Sequence, residues 1–178
     1  MYSLCKATIK TIYKVKKIVY NYGEKWIKVG ILRYGDNMFI GQYNHTIDEK
    51  GRIIIPSKLR CDLGSSIIVT RGLDGCLFVY SQNTWNEIIN KYKSLPDTKE
   101  KRNFMRIFLS GATICEYDRQ GRINIPSPLI SYANLNRECI IVGVLDRLEI
   151  WSKESWNNFI DNNTDNLSEI ADSLFESN

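Results

Sequence analysis

A twelve-residue stretch occurs twice in this chain, and it limits the available folds more than any other feature. Asp48-Glu49-Lys50-Gly51-Arg52-Ile53-Ile54-Ile55-Pro56-Ser57-Lys58-Leu59 returns as Asp118-Arg119-Gln120-Gly121-Arg122-Ile123-Asn124-Ile125-Pro126-Ser127-Pro128-Leu129. Eight of the twelve positions are identical. Self-similarity of this density means that the fold is built twice. Asp at the first and Gly at the fourth position of four residues is a turn arrangement, because Asp bonds its own backbone and Gly accepts positive φ. Arg-Ile-X-Ile then alternates as a strand does. Ile53 and Ile55 share one face; Arg52 and Ile54 share the other, as do Arg122 and Asn124. Pro ends the strand, and Ser-X-X-Leu opens a short helical turn with Ser57 or Ser127 as its expected N-cap.

The rest of the chain arranges itself around the two copies. Phe39 to Ile47 reads as a strand kinked at Gly41. Ile67 to Thr70 and Cys76 to Tyr80 flank the turn Gly72-Leu73-Asp74-Gly75 as a hairpin. A helix is expected from Asn83 to about Ser94. A second follows Pro96, with Asp97 and Glu100 as a capping box and Phe104, Ile107 and Phe108 buried. Ile114 to Tyr117 opens the second copy. Cys139 to Val144 and Leu148 to Trp151 form its hairpin, Ser152 to Ile160 its closing helix, and Asp161 to Asp165 a polar break before a last helix from Leu167 to Phe175. Expected units are therefore 42–84 and 113–156, joined by a helical connector, 85–111, and followed by an acidic tail, 157–178. Each copy is too small for a comfortable core. The two must share one, in tandem or by interleaving, which predicts an α+β, mainly β body with pseudo-two-fold symmetry.

Charge separates the regions. Residues 1–37 hold seven Lys and one Arg against two acids, a net of +6. From Lys153 onward there is one Lys against six acids, a net of −5. The whole-chain value of +4 is thus no sign of a basic body, and attraction to nucleic acid has to come from a local cluster. The 1–37 stretch lacks a repeat partner, and its lysines interrupt every apolar run, which argues against a signal peptide. It reads either as a basic arm reaching DNA or as translated upstream sequence. The second reading is preferred: Met38 then begins the native protein, and Gly35-Asp36 can be encoded by a ribosome-binding core at suitable spacing.

The same inventory weighs against several function classes. Five separated cysteines and the single His45 offer too few ligands at zinc spacing. No apolar stretch is long enough for a membrane helix, and no phosphate-loop pattern occurs. Asp48 and Asp118 are equivalent but each has an Arg four residues on. That favours pairing over catalysis and leaves no nucleophile–base pair. The expectation is a non-enzyme with no catalytic residues, cofactor, metal or small-molecule substrate. Arg52 and Arg122 leave the polar side of a strand just past a turn, where a guanidinium can bond a phosphate or a guanine edge. It can equally pair with its own Asp and fix the hairpin; the two roles are compatible.

From Met38 to about Trp156 the chain resembles the MraZ family of bacterial regulators. The resemblance is carried by Met38-Phe39-X-Gly41, by His45-Thr46-Ile47-Asp48-X-Lys50-Gly51-Arg52 and by Thr70-Arg71-Gly72-Leu73-Asp74-Gly75-Cys76-Leu77. It continues through Leu109-Ser110-Gly111-Ala112, Asp118-X-X-Gly121-Arg122 and Glu149-Ile150-Trp151-Ser152. It implies two tandem AbrB-like swapped-hairpin β-barrel halves, assembled as ring-shaped homo-oligomers. It also implies a cytoplasmic, nucleoid-associated repressor that binds short direct repeats of double-stranded DNA upstream of the division and cell-wall gene cluster, its own promoter included. The family's Asp-X-X-X-Arg maps onto Asp48/Arg52 and Asp118/Arg122.

The expected DNA contacts are Lys50, Arg52, Lys58 and Arg60 from the first copy and Arg119 and Arg122 from the second, with Asp48, Gly51, Asp118 and Gly121 shaping the turns. The first copy is richer in bases and is expected to make the main contact. Arg71, before the Gly-Leu-Asp-Gly turn, reads as a hairpin stabiliser. The competing reading is a structural ring, or an antitoxin-like AbrB module with no dedicated operator.

Overall fold

A computed structural model describes residues 8–12, 15–22, 25–32 and 38–176, with the side chains of 38–173. The remaining positions of the 1–37 extension lie outside the described residues. The chain divides into two units at Asn37/Met38. In the first, β1 (Thr8–Ile12), β2 (Val15–Tyr22) and β3 (Lys25–Leu32) form an antiparallel three-stranded sheet in that order. Its Ile, Val and Tyr content favours extended chain. Among the described residues no helix is long and apolar enough to cross a membrane.

The second unit is a mixed α+β body. Copy one supplies β4 (Phe39–Thr46), β5 (Arg52–Ile54), α1 (Ser57–Leu63), β6 (Ser66–Arg71) and β7 (Leu77–Ser81). The helices α2 (Gln82–Ser94) and α3 (Lys99–Ser110) follow. Copy two supplies β8 (Thr113–Glu116), β9 (Arg122–Asn124), α4 (Ser127–Tyr132), β10 (Glu138–Leu145) and β11 (Arg147–Ser152). The helices α5 (Lys153–Asn163) and α6 (Leu167–Glu176) close the chain.

The copies exchange strands. Six strands form one sheet in the order β4-β10-β11-β7-β6-β8. The opening strand of each copy therefore pairs with the hairpin of the other: β4 with β10, and β8 with β6. At the centre β11 meets β7 with Glu149 opposite Phe78, the midpoint of the pairing. The remaining two strands, β5 and β9, form an antiparallel ribbon with Ile53 opposite Ile123. Ile125 N–H donates to the Gly51 carbonyl (2.8 Å) and Ile55 N–H to that of Gly121 (3.2 Å), so each turn is bonded to the other copy's strand.

This exchange is what lets two small copies bury one core. Ile53, Ile55, Ile123 and Ile125 from the ribbon pack with Leu59, Leu63 and Leu129 from the short helices and with Ala133, the C-cap of α4. All lie against Ile67, Val69, Leu77, Val79, Ile141, Leu148 and Ile150 on one face of the sheet. Each of these Ile, Leu and Val side chains contributes about 1.5–3 kcal/mol on burial. The other face carries a second cluster under the long helices, with Cys76, Phe78, Tyr80, Phe108, Ile140 and Trp151 buried and Trp85, Phe104 and Trp156 against them. The Glu149 carboxylate is buried there and fully answered: Arg147 Nε and Nη2 donate to Oε1 and Trp151 Nε1 to Oε2.

Four local expectations change. Ser57 is the first helical residue rather than the cap; Pro56 takes the N-cap position and no side chain caps α1. The cap of α3 is Thr98, whose hydroxyl accepts from Lys101 N–H, while Asp97 pairs with Arg102 at 3.0 Å. Ile107 stands 60% exposed although Phe108 is buried, because one residue turns a helix by about 100°. The helix opening at Lys153 runs on to Asn163, through part of the expected polar break.

Candidate nucleic-acid interface

The two turns are built the same way. Asp48 Oδ1 accepts from the backbone N–H of Lys50 (3.0 Å) and of Arg52 (2.9 Å). The Asp48 carbonyl accepts from Gly51 N–H at 2.9 Å, with Gly51 at φ +74°. In the second turn Asp118 Oδ1 accepts from Gln120 (2.8 Å) and Arg122 (2.9 Å), and Gly121 sits at φ +77°. Only a residue tolerant of positive φ fits the fourth position without strain. Adding a methyl group there would also collide with the other copy: at Gly51 with the Ile125 carbonyl and Ile130 Cδ1, at Gly121 with the Arg60 guanidinium.

Each Asp also grips its Arg side-on. Arg52 Nε and Nη2 reach Asp48 Oδ2 at 2.8 and 2.7 Å, and Arg122 Nε and Nη2 reach Asp118 Oδ2 at 2.7 Å each. Of the two compatible roles, the pairing of each Arg with its own Asp is seen directly. The guanidinium is held in one orientation, and its Nη1 has no partner among the described residues. The Arg52 side chain holds the Asp48 carboxyl down to about 2, and the Arg122 backbone N–H, first among several bonds, lowers that of Asp118. Asp48 in turn raises the Arg52 pKa, with a further contribution from Asp118 across the ribbon.

The ribbon brings the two arginines together. Arg52 faces Asn124 and Arg122 faces Ile54 in the register, so all four share the face opposite the buried Ile53 and Ile123. Diagonal neighbours of this kind sit about 7–8 Å apart. Lys50 and Arg119 are exposed on the turns at the two ends, and Lys58 is exposed on α1. Ile54 and Asn124 complete the surface; the strand alternation places them there, but their residue types gave no reason to single them out.

Arg60 reaches across to the other copy. It projects from the first copy's helix onto Gly121 of the second copy's turn. Its Nε is buried without a hydrogen-bond partner among the described residues, and its charge lies close enough to affect Tyr117. The equivalent position on α4, Ile130, lies over Gly51. The surplus of bases in the first copy is thus shared out: the second turn gathers Arg119, Arg122 and Arg60. The Arg71 side chain reaches α3 and not the turn of its own hairpin, donating to the Ile107 carbonyl (2.9 Å) and Ser110 Oγ (3.1 Å) and lying over the Tyr132 ring.

The family model described as "MraZ protein, putative antitoxin-like" matches residues 38–107 and, again, 108–178. The chain belongs to the MraZ family. The two matches fall one on each copy of the Asp-to-Arg turn, in agreement with a tandem repeat and with the fold just described. Membership in the MraZ family places the chain among AbrB-type, antitoxin-like regulators.

Proposed function

We propose that this chain is a sequence-specific, DNA-binding transcriptional repressor that reads DNA with the β5–β9 ribbon. The observation carrying this reading is the placement of Arg52 and Arg122 on one half-exposed face, each clamped by its own Asp with Nη1 left without a partner among the described residues. A two-stranded ribbon fits the B-DNA major groove, about 12 Å wide, and strand-borne readout is a known docking mode. Pre-oriented guanidinium groups lose less side-chain entropy on binding. Arg52 and Arg122 contact guanine edges or phosphates, Lys50, Lys58 and Arg119 contact phosphates, and Arg60 supports the second turn from behind.

The exchange of opening strands between copies supports the swapped-hairpin, AbrB-like architecture with pseudo-two-fold symmetry. Its two recognition turns then form one continuous surface instead of two separate ones. Several chains in a ring meet successive direct repeats upstream of the division and cell-wall genes, the chain's own promoter included. Weak contacts on adjacent repeats multiply through effective concentration, which offsets the modest net charge. The protein acts in the cytoplasm at the nucleoid. The test is a gel shift with DNA taken from upstream of the chain's own gene, against a shuffled fragment of equal length. Preferential retardation of the upstream fragment supports the reading; equal retardation of both leaves a structural or non-specific module.

A further inference from the structure

The two strands of the ribbon repeat each other with one exception. The four differences within the twelve-residue repeat are Glu49/Arg119, Lys50/Gln120, Ile54/Asn124 and Lys58/Pro128. Three of them fall on the turns or the short helices, on the side of the proposed phosphate contacts, which carry no sequence information. Only Ile54/Asn124 falls on the strands themselves, Arg-Ile-Ile in β5 and Arg-Ile-Asn in β9. Both members of that pair stand on the outward face. Ile54 is 42% exposed and Asn124 is exposed, while Ile53 and Ile123 are buried.

Arg52 faces Asn124 and Arg122 faces Ile54. The face is therefore a quartet, with the guanidinium groups on one diagonal and the apolar and amide side chains on the other. A lone exposed Ile is ordinary surface. This one has a guanidinium opposite it and another two residues along its own strand, each fixed by its Asp. The Asn124 backbone is held from behind, Cys115 Sγ donating to its carbonyl at 3.4 Å. Its side-chain amide makes no hydrogen bond among the described residues. The two side chains suit different bases. A primary amide offers a donor and an acceptor together and matches the N6 amino group and N7 of adenine; an aliphatic group matches the C5 methyl of thymine.

We propose that Asn124 reads an adenine and Ile54 packs on a thymine methyl group, and that this pair gives the ribbon its direction on DNA. The proposal rests on the ribbon reading given above and names the bases that two of its residues take. A ribbon alike on both strands is two-fold about the Ile53–Ile123 pair, and a two-fold reader matches a two-fold site. With Ile54 and Asn124 at equivalent positions, the two ends of the site are told apart. One orientation on successive direct repeats then has its cause in the base contacts.

The test starts from duplexes that the full chain selects out of a random-sequence pool. Base analogues are then scanned through the selected site, with affinity read by fluorescence anisotropy and folding verified by circular dichroism. 7-Deazaadenine lacks the N7 acceptor, and deoxyuridine lacks the C5 methyl. At one adenine the deaza analogue is expected to weaken the wild type about fivefold or more and Asn124→Ala not at all. At one thymine deoxyuridine is expected to weaken the wild type about fourfold and Ile54→Ala not at all. Asn124→Ile, which makes the strands alike, is expected to select a core that reads the same on both DNA strands. An analogue penalty that persists in full in the truncated variant overturns the assignment of that residue, and a directional core retained by Asn124→Ile overturns the origin of direction. A selected site indifferent to both analogues, yet lost by Arg52→Ala, overturns this proposal and leaves the ribbon reading intact. A wild-type chain that enriches no sequence overturns both.

Discussion

Gly51→Ala and Gly121→Ala are equivalent by repeat and unequal by environment. Both glycines have positive φ, +74° and +77°, so alanine costs about 1–2 kcal/mol at either from backbone conformation alone. At Gly51 the new Cβ would lie 2.8 Å from the Ile125 carbonyl oxygen, which is itself ribbon backbone, and 2.9 Å from Ile130 Cδ1. Backbone cannot step aside without breaking the β5–β9 pairing, and forced overpacking adds about 1–3 kcal/mol. At Gly121 the obstacle is the end of the Arg60 side chain, which can swing into solvent. Gly51→Ala is therefore expected to cost about 2–5 kcal/mol, the sum of those two ranges, and Gly121→Ala little beyond the backbone share. Urea denaturation of the two variants measures the difference directly. A double-mutant cycle sharpens it: removing the guanidinium with Arg60→Ala should relieve part of the Gly121→Ala penalty and leave the Gly51→Ala penalty unchanged. A Gly121→Ala cost equal to or above that of Gly51→Ala, or additivity of Gly121→Ala with Arg60→Ala, would refute the arrangement of copies across each other's turns.

Two further outcomes follow from the same site. Arg60→Ile copies the residue found at the equivalent position of α4. Because it removes a buried Nε that has no partner among the described residues, it should hold or raise stability, by about 1 kcal/mol, in the same urea assay. The Asp48 carboxyl, held down to about 2 by the Arg52 side chain against an ordinary 3.8, should titrate near that lower value by carbon-detected NMR and move back up in Arg52→Ala. Its folded-state pKa is depressed, so its contribution to stability is complete above about pH 4 and is lost as pH falls toward 2.

The turn, strand and short helix were legible in the twelve repeated residues because each step has a local cause: Asp and Gly for the turn, alternation for the strand, Pro for its end. Which hairpin each opening strand joins was not legible. Pairing β4 with β6 or with β10 would present the same side chains to the same core, and alternation does not distinguish the two. The reach of Arg60 to the other copy's turn follows from that. Read along the chain it belongs to the first turn; once the strands are exchanged, its helix lies over the second. Ser57 lost the cap position because Pro56, extended at ψ 133°, already occupies it.

The most direct test of the account is DNA affinity of the wild type, Arg52→Ala, Arg122→Ala and the double variant, by fluorescence anisotropy on upstream DNA over a salt series. If the ribbon is the reading surface, each single variant loses about 1–3 kcal/mol of affinity and the double variant binds only at the non-specific level, with assembly unchanged by light scattering. Affinity falls with rising salt in every case. Upstream-specific binding that survives in the double variant at wild-type strength would contradict the central claim.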